Sequence, residues 1–313
     1  MASDTGGHQT YYVPEQSKYP FLATIGLGMF ILGAGLTMNH IKAGVEDPMS
    51  WFLPVGFAFF IAVLWNWFGA TIRENRAGLN SPQLKKSYVL GMQWFIFSEV
   101  MFFAAFFGAL FYVRFFVVPW LGGEGHHGLA NRLWEGFQAQ WPLTQTPQQA
   151  VEAAGGAQLM ARNAQFTAPE HVVGWMGIPL LNTILLVTSS VTVHFAHTAL
   201  KANKRGALNL WLAITLILGF TFVGFQAYEY HHAYTELGLT LASGIYGSTF
   251  FLLTGFHGFH VCLGAVMLTV MYLRATVKGH FTPEDHFGFE AASWYWHFVD
   301  VVWICLFLFV YIL

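Results

Sequence analysis

The stretch Phe287-Gly288-Phe289-Glu290-Ala291-Ala292-Ser293-Trp294-Tyr295-Trp296-His297-Phe298-Val299-Asp300-Val301-Val302-Trp303 writes the ionisable side chains Glu290, His297 and Asp300 into an aromatic, apolar run. In hydrocarbon an aspartate costs roughly 2.5 to 3.5 kcal/mol on insertion scales unless it faces protein or other polar atoms. Such a segment reads as a membrane helix packed against other helices. Asp300, roughly 20 Å along a helix that starts at Phe287, is predicted to face them.

The composition agrees. Of 313 residues, 55% are hydrophobic, 18% aromatic and 10% charged, whereas soluble proteins carry about 25% charged residues. A net charge of -2 without a cluster of Lys and Arg excludes a nucleic-acid partner. Cys262 and Cys305 lie in apolar stretches, which predicts small core residues rather than a disulfide or a thiolate metal site. Runs long enough to span, about 20 residues at 1.5 Å each, fall at 20–38, 51–71, 88–117, 178–200, 207–231, 243–275 and 287–313. The fold class is therefore an all-α integral membrane protein with seven transmembrane helices.

Residues 1–19 form a polar N-terminal tail, 20–71 hold helices I and II, 72–87 form a charged connection, and 88–313 hold helices III to VII. A long loop at 119–174 is predicted to contain short helical or interfacial structure. Lys18, Arg73, Arg76, Lys85, Lys86, Lys201, Lys204, Arg205, Arg274 and Lys278 fall on the side of the N-terminus, while Lys42, Arg114, Arg132 and Arg162 fall opposite. Because Lys and Arg accumulate on the cytoplasmic side, the N-terminus is predicted to be cytoplasmic and the C-terminus periplasmic.

Within the spans, Glu99 follows Tyr88 by about 16 Å of helix and reaches mid-membrane. A carboxyl there is either a neutral hydrogen-bonding acid or a partner in a proton relay. Its own helix supplies Ser98 but no second acid within a turn, so it reads as a solitary buried carboxyl. His194 with His197, and His257 with His260, are spaced i, i+3 and share a helix face, a geometry that can hold iron, copper or zinc. The HxxxH and HxxHH clusters of membrane di-iron enzymes are missing, however, and membrane histidines also serve as interhelical hydrogen-bond donors. These four, with Gln226, Glu229, Glu290, His297 and Asp300, are predicted to be interhelical polar contacts, with no metal in the chain. At the inner ends, Trp67, Arg73 and Glu74 close helix II, and Arg274 and His280 follow helix VI. Cations beside an interfacial Trp are what a phospholipid head requires.

Several runs carry a resemblance. They are Phe97-Ser98-Glu99-Val100-Met101-Phe102-Phe103, Pro179-Leu180-Leu181-Asn182-Thr183, Phe225-Gln226-Ala227-Tyr228-Glu229-Tyr230, Gly244-Ile245-Tyr246-Gly247-Ser248-Thr249-Phe250-Phe251, Gly255-Phe256-His257-Gly258-Phe259-His260-Val261 and the C-terminal run. Together, from helix II to helix VII and in the family's order, they resemble cytochrome c oxidase subunit III. The resemblance implies a non-catalytic subunit beside the haem–copper subunit I, its main contact, with subunit II in the same complex. It implies helices I and II separated from helices III to VII by a V-shaped, lipid-filled cleft, and bound phospholipid but no cofactor in the chain, haem and copper residing in the partner subunits. Support of oxygen access and of sustained proton uptake follows from the same likeness. Glu99 matches the family's carbodiimide-reactive carboxylate, while Trp67, Arg73, Glu74, Arg274 and His280 align at or near its lipid contacts. Ser243 stands where the family usually has Asp, and Gly69-Ala70 where it has Arg-Asp. The length of the 119–174 insertion points to a bacterial inner membrane. The competing reading is a self-contained membrane enzyme with a metal on His194, His197, His257 and His260; a transporter would show related halves, and none is visible.

Overall fold

The structure, a computed structural model, describes residues 16–43, 51–125, 129–156 and 167–313, with side chains omitted at 42 and 43. Most of the expected N-terminal tail, Arg162 and the Lys42 side chain lie outside the described residues. Among the described residues every regular element is helical. In chain order these are α1 (Tyr19–Ala43), α2 (Phe52–Arg76), α3 (Pro82–Tyr112), a π-helical turn (Val113–Val117), α4 (Val118–Leu121), α5 (Ala130–Leu133), α6 (Pro147–Ala153), α7 (Ile178–Lys201), α8 (Arg205–Thr235), α9 (Gly244–Thr276), α10 (Phe287–Leu306) and a second π-helical segment (Phe307–Ile312).

Seven helices are long and apolar enough to cross a membrane: Tyr19–Ile41, Phe52–Arg76, Pro82–Leu121 and the four from α7 to the end of the chain. All seven expected spans are present, and several continue past the hydrophobic run. The expected connection at 72–87 is largely helical, because α2 runs on to Arg76 and α3 begins at Pro82. Arg73 and Arg76 occupy the last turn of α2, where the helix dipole favours cations. Pro82 suits a first helical turn, where no backbone N–H is needed.

The chain divides into two compact units, 1–91 and 92–313, so the division falls inside α3 and not in a loop. In the first unit α1 lies along α2. Their backbones meet at glycines: a methyl at Gly33 would lie 2.3 Å from the Leu53 nitrogen, and one at Gly56 would lie 2.5 Å from the Phe30 nitrogen. Small residues allow this approach, which in lipid substitutes van der Waals contact for the missing hydrophobic drive.

In the second unit α7 to α10 form the core, and α10 is its centre. Trp296 and Trp303, seven residues apart and so on one face, are both fully buried. Their indoles donate to Ser189 Oγ and Thr183 Oγ1 of α7, each at 2.9 Å. Space for Trp296 comes from two glycines; a methyl at Gly219 would lie 2.8 Å from its ring, and one at Gly264 2.9 Å. Helix α3 joins differently, through rings and not close backbones. Phe95 stacks on Tyr295 at 5.9 Å, Phe102 meets Phe256 at 5.0 Å, and Phe107 meets Phe309 at 6.0 Å.

The described part of the 119–174 loop has the short helices its composition predicts. It also packs onto the core: Phe137, Leu143 and Ala150 are buried with it, and Trp141 lies 5.5 Å from Tyr246. Both cysteines are free. Cys262, expected in the core, instead faces outward from α9, where a weakly polar thiol costs little against lipid.

Candidate functional site

Glu99 of α3 does not stand alone. Its Oε2 lies 2.9 Å from Nε2 of His260 on α9, while His260 Nδ1 lies 2.6 Å from the Phe256 carbonyl oxygen one turn back. A carbonyl can only accept, so the hydrogen-bond network assigns a proton to Nδ1. One further proton then lies between Nε2 and Oε2, carried by one partner or the other. The side chain of His260 is 8% exposed and that of Glu99 is 21% exposed in the isolated chain. Phe103 at 5.0 Å and Phe259 at 5.7 Å stand edge-on to the imidazole. Ser98, the neighbour available in sequence, is exposed and donates to its own helix at Phe95 O, 2.6 Å away. The partner of Glu99 therefore comes from a different helix.

Two further polar groups close between helices. At the α8 end, Glu229 Oε1 accepts from Tyr311 Oη at 2.7 Å and from Gln226 Nε2 at 3.2 Å, and Asn182 Nδ2 reaches Gln226 Oε1 at 3.5 Å. Glu229 is 2% exposed, so this cluster is core and not the solvated interface that its place near a span end suggests. Deep in α10, His297 Nδ1 lies 2.7 Å from Ser190 Oγ but 3.8 Å from Asp300 Oδ2. The hydroxyl, and not the carboxyl, takes the imidazole.

The histidine pairs of the sequence do not act as pairs. His257 is fully buried, and its Nε2 donates to the Val299 carbonyl at 3.2 Å, whereas His260 turns to Glu99. His194 is exposed, and His197 packs against His286 at 5.4 Å and Phe289 at 5.8 Å. Among the described residues no group of three or more His, Cys, Asp or Glu is arranged to hold a metal ion. Glu290 sits in the first turn of α10, where the helix dipole favours an acid.

Of the expected lipid contacts, Trp67 stacks on Tyr19 at 6.3 Å, and Arg73 and Glu74 lie in the last turn of α2. In the second unit the Arg274 guanidinium lies 4.6 Å over the Phe281 ring, and the His280 amide donates to the Arg274 carbonyl at 3.0 Å. Arg205 donates to the Phe281 carbonyl, which holds the same turn. Sequence reasoning missed Tyr311, Ser190 and Thr183. Their only signal is a hydroxyl inside an apolar run.

Seven apolar helices with polar groups closed between them define a multi-pass membrane protein. The family profile described as Cytochrome c oxidase subunit III matches residues 8–125 and 167–313. Similar proteins include cytochrome c oxidase subunit 3 of Struthio camelus, 38% identical over 306 residues with 96% of each chain covered. That of Hippopotamus amphibius is 36% identical over 307 residues, covering 97% of this chain and 98% of its own. The chain belongs to the cytochrome c oxidase subunit III family. Glu99, His260 and the expected lipid contacts all lie in matched segments, while the profile passes over 126–166 of the long loop.

Proposed function

We propose that this chain is the non-catalytic subunit III of a bacterial cytochrome c oxidase, with an inner-membrane location and a cytoplasmic N-terminus. In this reading it packs against the haem–copper subunit I, beside subunit II, and steadies it through turnover. Its residues Trp67, Arg73, Glu74, Arg274 and His280 hold phospholipid, and the complex gains oxygen access and sustained proton uptake from it. The electron-transfer chemistry belongs to the partner subunits.

The observation that carries the non-relay part of this reading is the closed end of the Glu99 pair. The proton shared with His260 has no onward route through the imidazole, because Nδ1 is committed to the Phe256 carbonyl at 2.6 Å. A relay needs a donor or acceptor beyond each member, whereas a bond between α3 and α9 needs none. Glu99→Gln, whose amide can donate to Nε2, is expected to keep the initial pumping stoichiometry of the assembled oxidase. Glu99→Ala is expected to keep pumping at first and then inactivate after fewer turnovers. Loss of pumping in a fully assembled Glu99→Gln complex contradicts the assignment.

A further inference from the structure

A second polar feature lies at the opposite end of the second unit's helices from Arg274 and His280. Phe107, Gly108, Leu110, Phe111, Arg114 and Phe115 of this span, with Phe309 and Leu313 of the last, line a groove of about 510 Å³. That size lies within the roughly 300 to 1,000 Å³ of small-molecule sites. All its lining side chains are apolar except one. The exception, Arg114, is half-buried, lies 5.5 Å over Phe115 and 6.0 Å over Trp141, and among the described residues donates to no oxygen.

Both π-helical segments border this groove: Arg114 and Phe115 belong to the first, Val113–Val117, and Phe309 to the second, Phe307–Ile312. Such turns are rare and concentrate at functional sites, because the extra residue re-aims the side chains around it. Here they set rings along the groove and a cation at its rim. The depth is marked by aromatic residues: Tyr112 and Phe116 pack on Trp120 at 6.0 and 5.7 Å, forming the belt that sits at headgroup level. A guanidinium at that level with donors to spare, above a concave apolar wall, matches an amphiphile with a phosphate head and a hydrocarbon tail. An apolar helix of a partner protein would leave those donors unmatched.

We propose that this groove is a phospholipid site, with one acyl chain along Phe107, Phe111 and Phe309 and the phosphate on Arg114. It lies at the far ends of α3 and α10, which on the expected topology is the outer leaflet. The site is separate from Arg274, and its existence does not depend on the oxidase reading.

The test uses the full chain in phosphatidylglycerol vesicles containing a phosphatidylglycerol with a photoreactive diazirine on one acyl chain. Cross-linked peptides are mapped by mass spectrometry. Labelling is expected in 107–115 and 307–313, and Arg114→Gln is expected to lower it about fivefold, the factor corresponding to about 1 kcal/mol for one cation at a membrane surface. Arg114→Lys should retain most of it. Gly108→Leu puts a branched side chain into the groove from a position where a methyl meets nothing within 4 Å, and should abolish labelling. Labelling that persists in Gly108→Leu, or that is confined to other peptides, overturns the proposal. So does protection of the groove by a protein that copurifies and cross-links there.

Discussion

Glu229 shows what a single buried carboxyl demands of a membrane protein. At 2% exposure it depends on Tyr311 and Gln226, the first reaching it across 82 residues of sequence. Tyr311→Phe keeps the ring and removes the donor, leaving the acid under-satisfied at a cost of about 1 to 3 kcal/mol. The expected result is a lower thermal midpoint in detergent with an unchanged helical spectrum, and an unchanged midpoint would contradict the pairing. The need for partners was legible in the sequence, because Glu99 and Glu229 stand in apolar runs. Their identities were not. Glu99 meets His260 at a separation of 161 residues, and that pairing depends on the rotation of two helices about their axes, which residue spacing along one helix does not encode.

At the scale of elements, the seven spans were readable because length and hydropathy alone decide them. Their ends were less so, since charged residues that leave the hydrocarbon continue the helix, as Arg73 and Arg76 do in α2. The π-helical segments carry no compositional mark, so the groove they shape was invisible in the sequence. Glycine contacts were equally hidden, and they support a direct experiment. Gly33→Ala places a methyl 2.3 Å from backbone that cannot rotate away, so α1 and α2 must separate. Overpacking of this kind costs about 1 to 3 kcal/mol. Gly28→Ala, whose methyl meets nothing within 4 Å, is the matched control. The thermal midpoint in detergent is expected to be lower in Gly33→Ala than in Gly28→Ala, and equal midpoints would contradict the close pairing.

For the whole molecule, the two units are held by different means: glycine-mediated backbone contact between α1 and α2, and a tryptophan-centred core with polar closures from α7 to α10. The wide apolar surface left over, including Trp65, Trp94, Phe97 and Ile217 at 71%, 69%, 52% and 65% exposure, suits lipid and membrane partners. Membership of the oxidase family makes a haem–copper subunit the proposed companion. The most direct measurement is to purify from native membranes through a tag on this chain, then record subunit stoichiometry, metal content and the haem spectrum. The account predicts an oxidase complex with this chain and subunit I in equal amounts, and a chain free of iron and copper once dissociated. A chain that purifies without a haem–copper subunit, or that retains stoichiometric metal alone, would contradict it.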